Sequence, residues 1–186
     1  MKLNFKLKKL EIIIIGYLLF LLLTILSQNK FLVILSLMVF DKVLLSQLRV
    51  QGYFGIELLS VPIILIAVTQ GPLVAFLFGT FGIPLLDVLR WILAPPIHPT
   101  SPPFIPSISS LLYGSMGALA AFMHPSFDLI AIVLTTSILG DALHGIGMLF
   151  MGQPPNPVSY VINIVQNYFI MNLFIAIGFV KFLGIV

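Results

Sequence analysis

From Leu58 to Leu86 the chain carries no charged residue over 29 consecutive positions. As one straight helix this run would measure roughly 44 Å at ~1.5 Å per residue, too long for a hydrocarbon core of ~30 Å. Gly71-Pro72, preceded by Gln70, falls near its middle. The run therefore reads as two helices meeting in a tight turn at one membrane face, within a unit from Glu57 to His98. Similar apolar runs recur along the chain and are continuous, not alternating, which predicts helices and argues against a β-barrel. The pattern predicts an all-α polytopic membrane protein, a compact bundle of six transmembrane helices at 12–27, 57–70, 73–93, 107–123, 127–149 and 159–182. Seven spans are the alternative, and residues 1–186 form a single transmembrane domain.

The number of spans turns on residues 28–56. Ten apolar residues, Phe31 to Phe40, lead into Asp41 and Lys42, and Lys42, Ser46 and Arg49 then share one helical face. If this segment spans, Asp41 and Lys42 lie near the bilayer centre and must be paired inside the bundle. If it lies in the interface, both charges reach water. The second is the simpler expectation. It leaves 28–56, the loop 94–106 and the loop 151–158 outside, with both termini cytoplasmic. Loop 94–106 carries six prolines and is expected to be stiff, a rim or lid over the bundle mouth if it is more than a connector.

Composition agrees with the pattern. Hydrophobic residues make up 60% of the chain and charged residues 8%, far below the ~25% of soluble domains. The net charge of +3 comes largely from Lys2, Lys6, Lys8 and Lys9, which makes it a topology signal and not a nucleic-acid footprint. Lysines at a span's end resist translocation, so this end is expected in the cytoplasm, and Ile12 to Ser27 reads as a retained span, not a cleaved signal peptide. The absence of cysteine excludes disulfides, thiolate metal sites and thiol catalysis.

Polar residues inside apolar spans are few, so each is a candidate for function. Asp141 and His144, in GDALHG, are three apart and meet on one helix face, as a ligand-binding or proton-relay pair or as mutually satisfied glue. Asn163, Gln166 and Asn167 form a carboxamide stripe near the predicted outer end of the last span, with Tyr160 and Tyr168 nearby. Such a stripe hydrogen-bonds either a polar small molecule or a neighbouring helix. Glu57 and His98 are expected to close the same outer rim. Asp87 and Arg90 read as an interfacial ion pair beside the anchor Trp91, Asp128 as an N-terminal helix charge, and Gly114, Gly117, Ala118 and Ala121 as a close-packing face. No GxSxG, HExxH or Walker motif is present. The chain is expected not to be an enzyme, and no cofactor or metal is implied. Any pumping would need a separate ATPase.

The order VPIILIAVTQGPLVAFLFGTFG, a loop, then PSISSLLYGSMGALAAFM resembles the substrate-binding membrane subunits (S-components) of energy-coupling-factor transporters. The residues that carry the resemblance are Pro62, Gly71, Pro72, Gly79, Gly82, Gly114 and Gly117. It implies six helices with both ends cytoplasmic, and capture of a vitamin-like micronutrient near the outer face beneath 28–56, 94–106 and 151–158. It also implies a partner, a membrane coupling subunit with ATPases. The pattern departs at Ile83, where many members carry Asp, and no alanine precedes Ala67 to supply the paired alanines of the family's first helix.

The expected function is thus that of a multi-pass cell-membrane uptake subunit for a small polar or heteroaromatic solute, contacted by Asn163, Gln166, Asn167, Asp141, His144, Glu57 and His98. The alternative is a scaffold that binds other membrane proteins and no solute. The partners expected of the uptake subunit are the lipid bilayer, the solute and the coupling subunit with its ATPases, and not nucleic acid.

Overall fold

Residues 61–67 are buried on every side, a helix without an exposed face, and the remaining elements are arranged around it. The computed structural model describes residues 2–45, 58–93 and 106–185. These form helices α1 (Lys2–Leu26), α2 (Lys30–Val39, continuing as a π-helical segment Phe40–Leu45), α3 (Ser60–Gln70) and α4 (Pro72–Leu93). They are followed by α5 (Ile108–Met123), α6 (Leu129–Phe150), α7 (Pro157–Ala176) and the short α8 (Phe179–Phe182). No strand occurs among the described residues. Among the described residues three helices, α4, α6 and α7, are long and apolar enough to cross a membrane by length and composition.

The helix boundaries follow from local chemistry. Asn29, Ser107, Asp128 and Asn156 each stand just before a helix and accept a hydrogen bond from a backbone N–H of its first turn. This satisfies donors that a helix start leaves without partners. Asp128 accepts from the Ala131 N–H at 2.7 Å, the role expected of it. Pro157 follows Asn156 at the first position of α7, where its missing N–H costs nothing. Between α3 and α4 the expected tight turn is present: Gly71 has φ 90°, a conformation open to glycine, and Pro72 starts the next helix. The run expected over 159–182 is instead broken after Ala176, where Gly178 adopts the left-handed conformation (φ 75°) that ends helices.

Within α4, residues Phe78–Gly82 are π-helical, and the Ile83 N–H donates to the Phe78 carbonyl five residues earlier. The cause lies two residues on from Gly82. Pro84 has no N–H to give the Thr80 carbonyl and its ring crowds that turn, so the backbone widens rather than breaks. Two further glycines bring α4 against α5. A Cβ on Gly79 would stand 2.5 Å from Gly114 Cα, and one on Gly114 would strike Thr80 Oγ1 and stand 2.6 Å from the Phe76 carbonyl oxygen. A Cβ on Gly117 would lie 2.7 Å from Ile63 of α3. The small-residue face of α5 thus serves the close packing expected of it.

The segment after α1 differs most from expectation. Ile34, Met38 and Asp41 are fully buried, so 30–45 belongs to the packed bundle. Asp41 Oδ1 accepts the Leu58 N–H at 3.2 Å, which ties the end of α2 to the start of α3. Of the two expectations for this segment, the packing favours the one in which its charges are paired inside the bundle. A turn at Gln28 (φ 51°) folds α1 back on α2, and the rings of Tyr17 and Phe40, on either side of that turn, lie 5.7 Å apart. The two helices are therefore antiparallel. The start of α1 falls at the same end of the bundle as the end of α4 and the start of α5. The six-span drawing has those points on opposite faces, because it gives no crossing to α2.

Large apolar side chains cover the perimeter, among them Leu23, Leu85, Phe150, Val161 and Phe169, each more than 60% exposed, an amount of apolar surface suited to lipid and not to water. The glycine contacts supply a stability test. Gly114→Leu should lower the thermal unfolding midpoint in detergent, at a cost of about 1–3 kcal/mol for overpacking. Gly16→Leu, where a Cβ meets nothing within 4 Å, should leave it within about 0.5 kcal/mol.

Candidate functional site

α3 has 11 residues and a length of roughly 16 Å, about half of the ~30 Å of a hydrocarbon core. Its neighbours α4, α5 and α6 are longer, and the space beyond its first turn is a cavity of about 320 Å³. Most of its polar walls come from one end of the bundle, with Thr136 and Ser137 of α6 deeper. Lys42, Asp87, Asp141 and His144 come from the later parts of α2, α4 and α6, and Ser60, Ser109, Ser110, Ser159 and Tyr160 from the first turns of α3, α5 and α7. The floor is apolar, with Ile63 and Ile64 of α3, Ile83 of α4 and Met116 of α5. A chamber of this size with an apolar floor and converging polar groups has the dimensions of a small-molecule site, though its lining residues are mostly polar.

One wall is a polar ladder between α6 and α7. The Tyr160 hydroxyl lies 3.4 Å from His144 Nδ1, Asn163 Nδ2 donates to both Asp141 carboxylate oxygens at 3.0 Å, and Asn167 Nδ2 donates to Ser137 Oγ at 3.1 Å. Steps of three and four residues along α6 match equal steps along α7, the register of an antiparallel helix pair. Asn167 Nδ2 also donates to Asn163 Oδ1 at 3.2 Å. That bond fixes which way the Asn163 amide points, with its NH₂ toward Asp141. Asp141 and His144 thus each reach across to α7.

The opposite wall carries the ion pairs. Lys42 Nζ stands 3.7 Å from Asp87 Oδ1, and the Arg90 guanidinium stands 3.9 Å from the same oxygen. The Lys42 side chain is 12% exposed, whereas those of Asp87 and Arg90 are about one third exposed, so the pair runs from the cavity toward the rim. Among the described residues no group of three His, Asp or Glu side chains could hold a metal ion.

Of the expected site residues, Asp141, His144 and Asn163 line the cavity. Asn167 is fully buried behind Asn163, where it supports the wall. Gln166, one helical step away, is not among the lining residues. Glu57 and His98, and with them most of loop 94–106, lie outside the described residues. The sequence reading missed the serines and Lys42. Ser107 and Ser110 carry the cap signature of a helix start, which conceals that Ser109 and Ser110 also face a cavity. Lys42 and Asp87 are 45 positions apart, so only the parallel packing of α2 on α4 joins them.

Compared with protein-family models, curated proteins and solved structures, the chain matches none.

The ladder predicts unequal roles for two asparagines of α7. Asn167→Ala should lower the unfolding midpoint by the equivalent of about 1–2 kcal/mol, because Ser137 and Asn163 both lose a buried partner. Asn172→Ala, which removes a bond to the Tyr168 carbonyl one turn earlier in its own helix, should cost no more than about 0.5 kcal/mol.

Proposed function

We propose that this chain is a multi-pass protein of the cell membrane that binds a small polar or heteroaromatic solute in the cavity above α3, as the capture subunit of an uptake system driven by a separate ATPase module. The cavity carries this reading: about 320 Å³ of space, an apolar floor, and polar groups from six helices converging at one end. The resemblance to S-components supports the same assignment. Six of the helices, α2 to α7, alternate in direction, and the connections 46–57, 94–105 and 151–156 all leave from the cavity end, where the resemblance implies capture. In this reading α1 is an addition to the six, folded against α2.

Asp141 and His144 line the pocket, Asn163 orients Asp141, and Asn167 holds Asn163. The scaffold reading draws on one specific observation, that Asn163 and Asn167 are engaged between α6 and α7. Native mass spectrometry of the purified protein separates the two. Capture predicts a stoichiometric metabolite, lost by at least about tenfold (~1.4 kcal/mol) in Ser109→Leu, which fills the cavity from a half-buried wall position. A protein partner without any metabolite, unaffected by that substitution, would establish scaffolding instead.

Orientation has its own test, since the lysine-rich start of α1 shares the cavity end. Tags at the N-terminus and in loop 94–106 should label together from outside the cell. Joint labelling from the cytoplasmic side, which the lysines taken alone favour, would overturn uptake as the direction of transport.

A further inference from the structure

The charged side chains of the cavity wall are already engaged by the protein. Lys42 stands beside Asp87, which Arg90 shares from outside the cavity, and both oxygens of Asp141 accept from Asn163. Lys42 and Asp141 each hold a further interaction within the chain, and the fully buried Asp41 next to Lys42 accepts the Leu58 N–H. An ionic solute would have to break one of these contacts or enter unpaired, and either is costly in a poorly hydrated space.

The hydroxyls are differently placed. A serine or threonine inside a helix often gives its O–H to a carbonyl of the preceding turn, as Ser36, Thr69 and Thr136 do. Ser60 and Ser109 stand in the first turns of α3 and α5, where the residues three and four back precede the helix. With Ser159 of α7 they line the cavity half-buried, and among the described residues their hydroxyls make no hydrogen bond. Deeper in, Ser137 accepts from Asn167 and keeps its own O–H to donate. The open hydrogen-bonding capacity of the wall thus belongs to neutral groups that both donate and accept, above the apolar floor of Ile63, Ile64 and Met116.

We propose, resting on the solute-binding reading above, that the cavity selects a small uncharged solute, with amide or hydroxyl groups toward Ser60, Ser109, Ser137 and Ser159 and an apolar face toward the floor. Discrimination against ions comes from the contacts that would have to open. Affinity comes from hydroxyls that give up nothing inside the protein when they bond a guest.

The test uses the full chain in lipid nanodiscs. A metabolite that copurifies is released with organic solvent and identified by mass spectrometry, and it should carry no ionised group at pH 7. Where none copurifies, size-matched probes decide: benzamide and xylitol as uncharged donors and acceptors, benzoate and benzylammonium as ions, and ethylbenzene as the apolar shape. At least one uncharged polar probe should bind about tenfold more tightly than the ions and ethylbenzene, the scale of one or two hydrogen bonds. Ser60→Ala and Ser109→Ala should each weaken the metabolite or best probe about three- to tenfold. The unfolding midpoint of the ligand-free protein should stay unchanged in both, since neither hydroxyl has a partner to lose. An ionic or zwitterionic metabolite, ions or ethylbenzene held as tightly as the uncharged polar probes, or full affinity in both serine variants would overturn this inference and leave solute binding standing. No metabolite and no bound probe would overturn both.

Discussion

The bundle depends on enclosing one short apolar helix. α3 is buried on all sides over Val61–Ala67, and an 11-residue helix of this kind cannot face lipid on one side and core on the other. Its neighbours must close around it, and the glycines make that closure tight. Gly79, Gly114 and Gly117 let α4 and α5 approach until backbone meets backbone and Ile63 seats against α5. The π-helical turn before Pro84 keeps α4 continuous while it does so. Because α3 is about half the length of α4 and α6, the same enclosure that buries it leaves a chamber beyond its first turn.

Polar chemistry is concentrated at that chamber. Asp41 ties the end of α2 to the start of α3, Lys42 and Arg90 share Asp87, and the ladder from Tyr160 to Asn167 pins α7 to α6. In an interior of low dielectric each such group needs a partner, so the polar side chains work in relays. Asn167 orders Asn163, and Asn163 orders Asp141. A wall ordered this way holds the Asp141 carboxylate in a fixed orientation at the cavity.

Length and charge periodicity determined much of this protein. The all-helical class, the Gly71-Pro72 turn, the capping role of Asp128 and the small-residue face of α5 could each be read locally, because each depends on residues within one or two helical turns. Asp141, His144 and Asn163 could be singled out because ionisable and carboxamide groups are rare in apolar helices. The break at Gly178 was harder to foresee, since the apolar pattern runs through it unchanged.

Only the tertiary structure decided the rest, because it depends on which helices become neighbours. Lys42 and Ser109 enter the site through contacts between elements far apart in the chain, and nothing in their local sequence distinguishes them from an interfacial charge and a cap. The same holds for α2, where Asp41 and Lys42 look too costly to bury until Leu58 and Asp87 are brought beside them. Asn163 and Asn167 form one stripe in sequence, yet packing against Asp141 and Ser137 made the first part of the wall and the second its support. A single helix fixes which residues share a face, and the partner helix fixes what that face does.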